Sequence, residues 1–239
     1  MIQPDSRIAR YRAAHARILE RIVEACARAG RDPADVTLLA VSKTVPADAL
    51  RCAVTAGIDR LGENRVQEAV AKAPDVPGAR WHLVGPLQSN KARRALEVFE
   101  SIQSVDSVDL AARLDRLVPD ARPAAPGPYP ILLQVNVDRD PAKAGIDPDR
   151  LDATLADLAG LSNLVVRGLM TVGRFTVDVA AARQTFVSLR ELAERSRAVS
   201  PNLGRDLSMG MSDDFEIAIE EGATIVRVGR ALFGERPPI

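Results

Sequence analysis

Residues 38–46 read LLAVSKTVP, and the meaning of Lys43 in that stretch sets the architecture that the rest of the chain must supply. Leu38, Leu39, Ala40 and Val41 form a short apolar run of the kind that makes a buried strand, and Pro46 suits the opening of the helix that follows. Ser42-Lys43-Thr44 then forms the rim of the strand. A primary amine at the mouth of an α/β core suits Schiff-base chemistry, because it can lose its proton in a partly apolar pocket and attack an aldehyde. From these nine residues alone, a surface lysine at a strand end is the plainer reading. The remainder of the chain decides between the two.

The same unit, an apolar run followed by an amphipathic helix, recurs along the sequence. Strands are expected at residues 36–42, 58–62, 81–84, 101–105, 131–137, 165–172, 206–209 and 225–228. Helices are expected at 47–56, 64–73, 90–97, 108–117, 148–159, 179–198 and 213–221. Such alternation means a parallel sheet, and eight units within 239 residues favour a closed (β/α)8 TIM barrel over an open doubly wound sheet. One domain is expected over residues 1–239. An additional long N-terminal helix within residues 1–30 is expected to cover the seam where a last barrel helix would pack. That helix should begin at an N-cap on Ser6 and stop at Gly30. Its apolar stripe is Ile8, Tyr11, Ile18, Ile22 and Cys26, widened by Leu19 and Val23. The proline-rich stretch 119–130 (PDARPAAPGPYP) reads as an extended, exposed loop at the bottom of the barrel.

Composition narrows the function. Hydrophobic residues make up 46% of the chain but aromatics only 3%, so the core must be aliphatic, as under a parallel sheet. Lys+Arg and Asp+Glu are equal at 32 each, and no overall basic field points to nucleic acid. Cys26 and Cys52 fall in predicted helices without metal spacing and read as reduced, buried thiols of a cytoplasmic protein. The first residues carry no apolar signal-peptide core, and no run is long enough to span a bilayer. His15 and His82 stand in no ligand pattern, so no metal is expected.

Barrel active sites collect at the C-terminal ends of the strands, and the polar residues there are informative. Strand one ends in Lys43, strand two in Gly62-Glu63-Asn64, strand five near Asn136 and strand six at Met170-Thr171. Strand seven runs into Ser208-Met209-Gly210-Met211-Ser212-Asp213-Asp214, a tight turn before a helix N-terminus, which suits an anion. The alternative there is that Ser212-Asp213-Asp214 is a helix cap for a helix beginning at Asp213. Gly229 after strand eight would let backbone approach the same anion. Arg227 inside strand eight is costly unless it pairs, either with a ligand or with a barrel acid such as Glu63. His82 beside Trp81 reads as packing or as a proton shuttle. Asn64 reads as a helix cap or a ligand contact. The basic segment 88–94 (QSNKARR) reads as a solvated helix end.

LLAVSKTVPADAL, GENRVQE, RWHLVGPLQSNK, IQSVDS, LLQVNV, GLM, LSMGMSDDFEIAI and GATIVRVGRALFGER together resemble the pyridoxal phosphate homeostasis family. These are small fold-type III proteins similar to the barrel domain of alanine racemase. The resemblance runs from Leu38 to Arg236. It implies that Lys43 holds pyridoxal 5′-phosphate as an internal aldimine and that Ser212 and the backbone around Val228-Gly229 bind the phosphate. It also implies that Arg227 faces the pyridine nitrogen, where an arginine keeps that nitrogen unprotonated, and that Asn64, His82, Ser208 and Met209 line the pocket. Val45, the loop Ala142-Lys143-Ala144-Gly145 and Val172-Gly173-Arg174 depart from the usual family pattern, all at the rim. Alanine racemases draw a catalytic tyrosine from a second domain. Here Tyr11 is expected on the first helix and Tyr129 in the proline-rich loop, neither at a strand end, so no second base is expected. The function implied is buffering or delivery of the cofactor, without catalytic residues, by a monomer that hands it to free amines or apo-enzymes. The alternatives are a slow racemase or lyase using His82 or Lys43 as base, and a Schiff-base aldolase without cofactor.

Overall fold

In the computed structural model, which describes residues 4–124, 127–173 and 178–234, the eight apolar runs become eight parallel strands in sequence order. They are β1 (Thr37–Val41), β2 (Arg60–Glu63), β3 (Arg80–Leu83), β4 (Ser101–Val105), β5 (Tyr129–Gln134), β6 (Leu164–Met170), β7 (Asp206–Ser208) and β8 (Ile225–Val228). β8 pairs back onto β1, Arg227 opposite Leu39, and closes the barrel. The helices are α1 (Pro4–Ala29), α2 (Ala47–Thr55), α3 (Val66–Lys72), α4 (Ala92–Val98), α5 (Val108–Ala121), α6 (Leu151–Leu158), α7 (Val179–Val199), α8 (Phe215–Glu220) and α9 (Arg230–Phe233).

Side chains alternate across each strand, so every strand feeds two cores. The larger lies between barrel and helices and is aliphatic apart from a few aromatics such as Phe99, Phe186 and Phe215. A smaller cluster of Leu39, Leu132, Met170 and Ile225 fills the barrel interior. Cys26 and Cys52 are buried free thiols.

α1 packs against α2, α8 and α9, outside the β8–β1 seam. Arg21 pairs with Glu216 at 2.6 Å and Arg28 with Glu220 at 2.7 Å, while Arg31 caps the carbonyls of Ile219 and Ala223. Gly30 ends the helix at φ 65°, as expected. Two details differ from expectation. The helix already runs through Ser6, which is therefore no cap. Leu19 and Val23 are 42% and 50% exposed. Each lies one residue, about 100°, beyond the buried positions Ile18 and Ile22, and the close approach uses Ala14 and Ala25 instead.

The proline-rich connection is shorter than expected at both ends. Pro119 sits inside the last turns of α5. The carbonyl it cannot satisfy, on Asp115, accepts from the Asn163 amide at 3.3 Å. Tyr129 is not in a loop but begins β5, buried, with its hydroxyl donating to the Phe99 carbonyl at 2.9 Å. Residues 125 and 126 lie outside the description, as does Arg174 of the expected rim segment. Among the described residues, no helix is long and apolar enough to cross a membrane.

Candidate functional site

A cavity of about 810 Å³ opens where the strands end, between the barrel mouth and the first turns of α1. Of the residues singled out from sequence, Lys43, Asn64, Ser212, Arg227 and Gly229 line it. Ser208, Met209 and Val228 are fully buried and His82 is half-buried; none of the four lines the cavity. The Met209 and Val228 side chains belong to the outer core.

Lys43 is half-buried just past the end of β1. Behind it lies a polar cluster that spacing alone did not reveal. Glu63, at the end of β2, has no exposed surface, and its Oε1 accepts the Ser42 hydroxyl at 2.8 Å and the Lys72 ammonium at 2.7 Å. Burial pushes the Glu63 carboxyl up, while Lys72 and Ser42 pull it down. Glu63 therefore pairs with Lys72, and the expected alternative, a Glu63–Arg227 bridge, is absent among the described residues.

Arg227 is 5% exposed. Its Nη1 donates to Ser208 Oγ at 2.7 Å and its Nη2 to the Thr171 carbonyl at 2.7 Å. Among the described residues no carboxylate pairs with it. Burial pulls the guanidinium down to about 10, with Asp214 opposing, so it stays charged at neutral pH. Ser208 passes the bond on, its hydroxyl donating to Gln103 Oε1 at 2.6 Å. The Gln103 amide in turn lies 3.2 Å from His82 Nδ1. The direction of donation along this chain makes His82 Nδ1 an acceptor and leaves its proton on Nε2. Burial pulls His82 down to about 4, so the ring is neutral at physiological pH. Ser208 thus orients Arg227 directly, and His82 supports Ser208 through Gln103, a residue sequence reasoning missed.

The turn after β7 is built for close approach. Gly210 has φ 87°, and a Cβ there would lie 2.5 Å from the Ala218 Cβ. The following helix begins at Phe215, not Asp213. Ser212 does not cap it; its Oγ accepts the Gly229 N–H at 3.3 Å and so joins the turns after β7 and β8. Asp214 accepts the Met211 N–H at 2.6 Å, and Asp213 pairs with Arg230, which accounts for both acids. Gly229 has ordinary φ, and its smallness serves packing: a Cβ would stand 3.2 Å from the Val41 carbonyl.

Asn64 makes no helix cap, since α3 starts at Val66 without a side-chain cap. Its backbone is pressed against Gly85, where a Cβ would fall 2.3 Å from the Asn64 carbonyl. Asn136 is structural, bonding the Asp140 and Lys143 carbonyls within its own loop. Arg93 and Arg94 make surface pairs, in keeping with a solvated helix end. Of the rim departures, Val45 and Val172 line the cavity, and Lys143 ties the two neighbouring loops by donating to the Val172 and Gly173 carbonyls.

α1 contributes Arg7, Arg10 and Tyr11 to the cavity, which no strand-end argument could have found. Tyr11 packs edge-on against Phe233 at 5.6 Å, with Arg10 over its ring. Tyr11 lies on the first helix and away from every strand end, as expected, yet the helix carries it to the cavity wall. The arrangement offers an amine, a buried cation without a carboxylate and a hydroxyl-bearing turn, around a space of the size that cofactors occupy.

A family model described as alanine racemase, N-terminal domain, matches residues 16–237. The chain is 47% identical over 224 residues to a pyridoxal phosphate homeostasis protein of Pseudomonas aeruginosa, covering 92% of this chain and 94% of that one. It is 40% identical over 230 residues to the protein of that name in Escherichia coli K12, with the same coverage. Among solved structures, PipY of Synechococcus elongatus PCC7942 with PLP bound superposes with a TM-score of 0.78 at 43% identity, over 91% of this chain and 100% of that one.

Proposed function

Because this chain belongs to the pyridoxal phosphate homeostasis protein family, on the alanine racemase N-terminal domain fold, we propose that it binds pyridoxal 5′-phosphate reversibly and buffers or delivers it. The observation that carries this reading is the pairing of Lys43 with Arg227 across one cavity, the arginine buried and free of any carboxylate among the described residues. When bound, the cofactor supplies an aldehyde, and the Lys43 amine is the group that holds it covalently. Ser212 and the Gly229 backbone take the phosphate. Arg227, as a fixed hydrogen-bond donor, faces the ring nitrogen and keeps it unprotonated, which weakens the electron sink that amino-acid chemistry needs. Asn64 lines the ring, His82 and Ser208 support Arg227 from beneath, and Met209 and Val228 anchor the ends of β7 and β8 in the outer core. Residues 1–239 act as one binding unit, a cytoplasmic monomer that exchanges its cargo with free amines or apo-enzymes.

A second reading, slow racemisation or lyase chemistry on a small amino acid, is favoured by one observation, the presence of Tyr11 in the cavity. Absorption spectra before and after borohydride reduction, with peptide mass mapping, test the first reading. A yellow protein whose reduced adduct maps to Lys43, and a Lys43→Ala variant without that adduct, are expected. A colourless protein that stays so with added pyridoxal phosphate overturns it. Sustained, Lys43-dependent turnover of a single-enantiomer amino acid would favour the second reading.

A further inference from the structure

The buried acid and ammonium behind Lys43 take no part in holding a ligand, yet they converge on its backbone. Glu63 Oε1 accepts the Ser42 hydroxyl at 2.8 Å and the Lys72 ammonium at 2.7 Å. Lys72 Nζ also donates to the Ser42 carbonyl at 3.2 Å and lies 3.4 Å from Glu68 Oε2. That same Glu68 oxygen accepts the Thr44 N–H at 3.4 Å. The residues on both sides of Lys43 are therefore tied to the α3 segment, and both ties meet at Lys72. Thr44 stands at φ 67°, a left-handed conformation that a β-branched residue keeps only when its surroundings hold it there. A buried ion pair is weak evidence for stability, since well-packed apolar residues would serve as well. Here one carboxylate oxygen, Glu63 Oε2, is buried with no partner among the described residues, so the pair is not optimised for its own sake.

We infer that Glu63, Lys72 and Glu68 form a clamp that fixes the Ser42-Lys43-Thr44 turn and so presents the Lys43 amine to the cavity, with Lys72 a positioning residue rather than a second reacting amine. The inference rests on Lys43 being the amine of the proposed function.

The test separates capture of an aldehyde from recognition of the rest of the ligand. Pyridoxal 5′-phosphate forms a C=N bond with the amine as water leaves, and borohydride then adds hydride to carbon and a proton follows to nitrogen. Pyridoxine 5′-phosphate has no aldehyde and reports only on phosphate and ring contacts. The Glu63→Gln/Lys72→Met double variant, which removes both charges, is expected to form the trapped Lys43 adduct about tenfold more slowly. Its affinity for pyridoxine 5′-phosphate should change by less than about twofold, because those contacts are untouched. Lys72→Arg, which keeps a cation on Glu63, should recover part of the rate. Should the double variant fail to fold, Glu68→Gln removes only the Thr44 tie, and trapping slowed by about twofold or more is expected. Wild-type trapping rates in a folded variant, or parallel loss of both ligands, overturn the inference. If the wild-type protein forms no adduct at Lys43, the covalent reading itself fails. Limiting acetylation of Lys43, mapped by mass, then still judges the clamp: equal labelling in wild type and double variant overturns it, and altered labelling sustains it.

Discussion

Two cations sink into the protein on either flank of the cavity, and they are treated oppositely. Lys72 meets a carboxylate, Glu63, that is wholly buried. Arg227 meets, among the described residues, a hydroxyl and a carbonyl. The first charge is cancelled within the protein and can act only on the chain around it. The second is held by neutral acceptors at the cavity wall, with Asp214 acting on it without forming an ion pair among the described residues. On the proposed function, burial of a cation serves structure on one side and binding on the other, and the partner distinguishes the two.

Removing each cation should separate the two. Lys72→Met leaves a buried acid without its partner and should lower stability by about 3 kcal/mol in urea unfolding at neutral pH. The orphaned Glu63 can then take up a proton, so the deficit should shrink as the pH falls. Arg227→Met removes an uncompensated charge and should change stability by less than about 1 kcal/mol, while weakening pyridoxal phosphate binding about tenfold or more. Equal losses of stability in the two variants would break the comparison.

The chain that orients Arg227 has its own pH signature. His82 titrates near 6.5 when unfolded and about 4 when folded. Between those values the unfolded chain takes up a proton that the folded protein refuses, so stability is lost as the pH falls, by no more than about 3.4 kcal/mol. His82→Gln should flatten the unfolding midpoint across pH 4–6.5. An unchanged pH slope would show that the ring is more hydrated than its position implies.

Gly210→Ala sharpens the cavity side further. Its φ of 87° and the 2.5 Å approach to Ala218 together should cost about 2 kcal/mol in thermal unfolding and disturb the turn that carries Ser212. At the bottom of the scale, Leu19→Gln on the solvent side of α1 should change the unfolding midpoint by less than about 0.5 kcal/mol. A larger loss would mean that this face is covered in solution.

Much of the site was legible because barrel chemistry is periodic. Lys43, Asn64, Ser212, Arg227 and Gly229 all follow directly from strand ends, and strand ends follow from apolar runs. His82 and Ser208 were found as residues but not as parts of a chain, because the link between them is Gln103 on β4, an unremarkable polar residue in a buried strand. Lys72 sits 29 residues after Lys43 in the numbering, yet its ammonium bonds the carbonyl of the residue before it. Helical spacing shows that Glu68 and Lys72 share a face of α3; it does not show that the face looks at the end of β1. The cap expected at Ser212 is not made because the helix starts two residues later, at Phe215, and Asp214, now at the cap position, turns its carboxylate to the Met211 N–H instead of a helix N–H.

By itself the order of residues determined the eight alternating units, the closed parallel barrel and the lysine at the first rim, because burial of apolar runs and the geometry of βαβ crossovers leave few other solutions. Tertiary structure alone decided which acid pairs with which cation, that Arg227 has no paired carboxylate among the described residues, and that α1 brings Tyr11, Arg7 and Arg10 over the cavity. The reason is range: hydrophobic periodicity is written within a dozen neighbouring residues, whereas a hydrogen bond between side chains on different strands depends on register and closure, which no local pattern encodes.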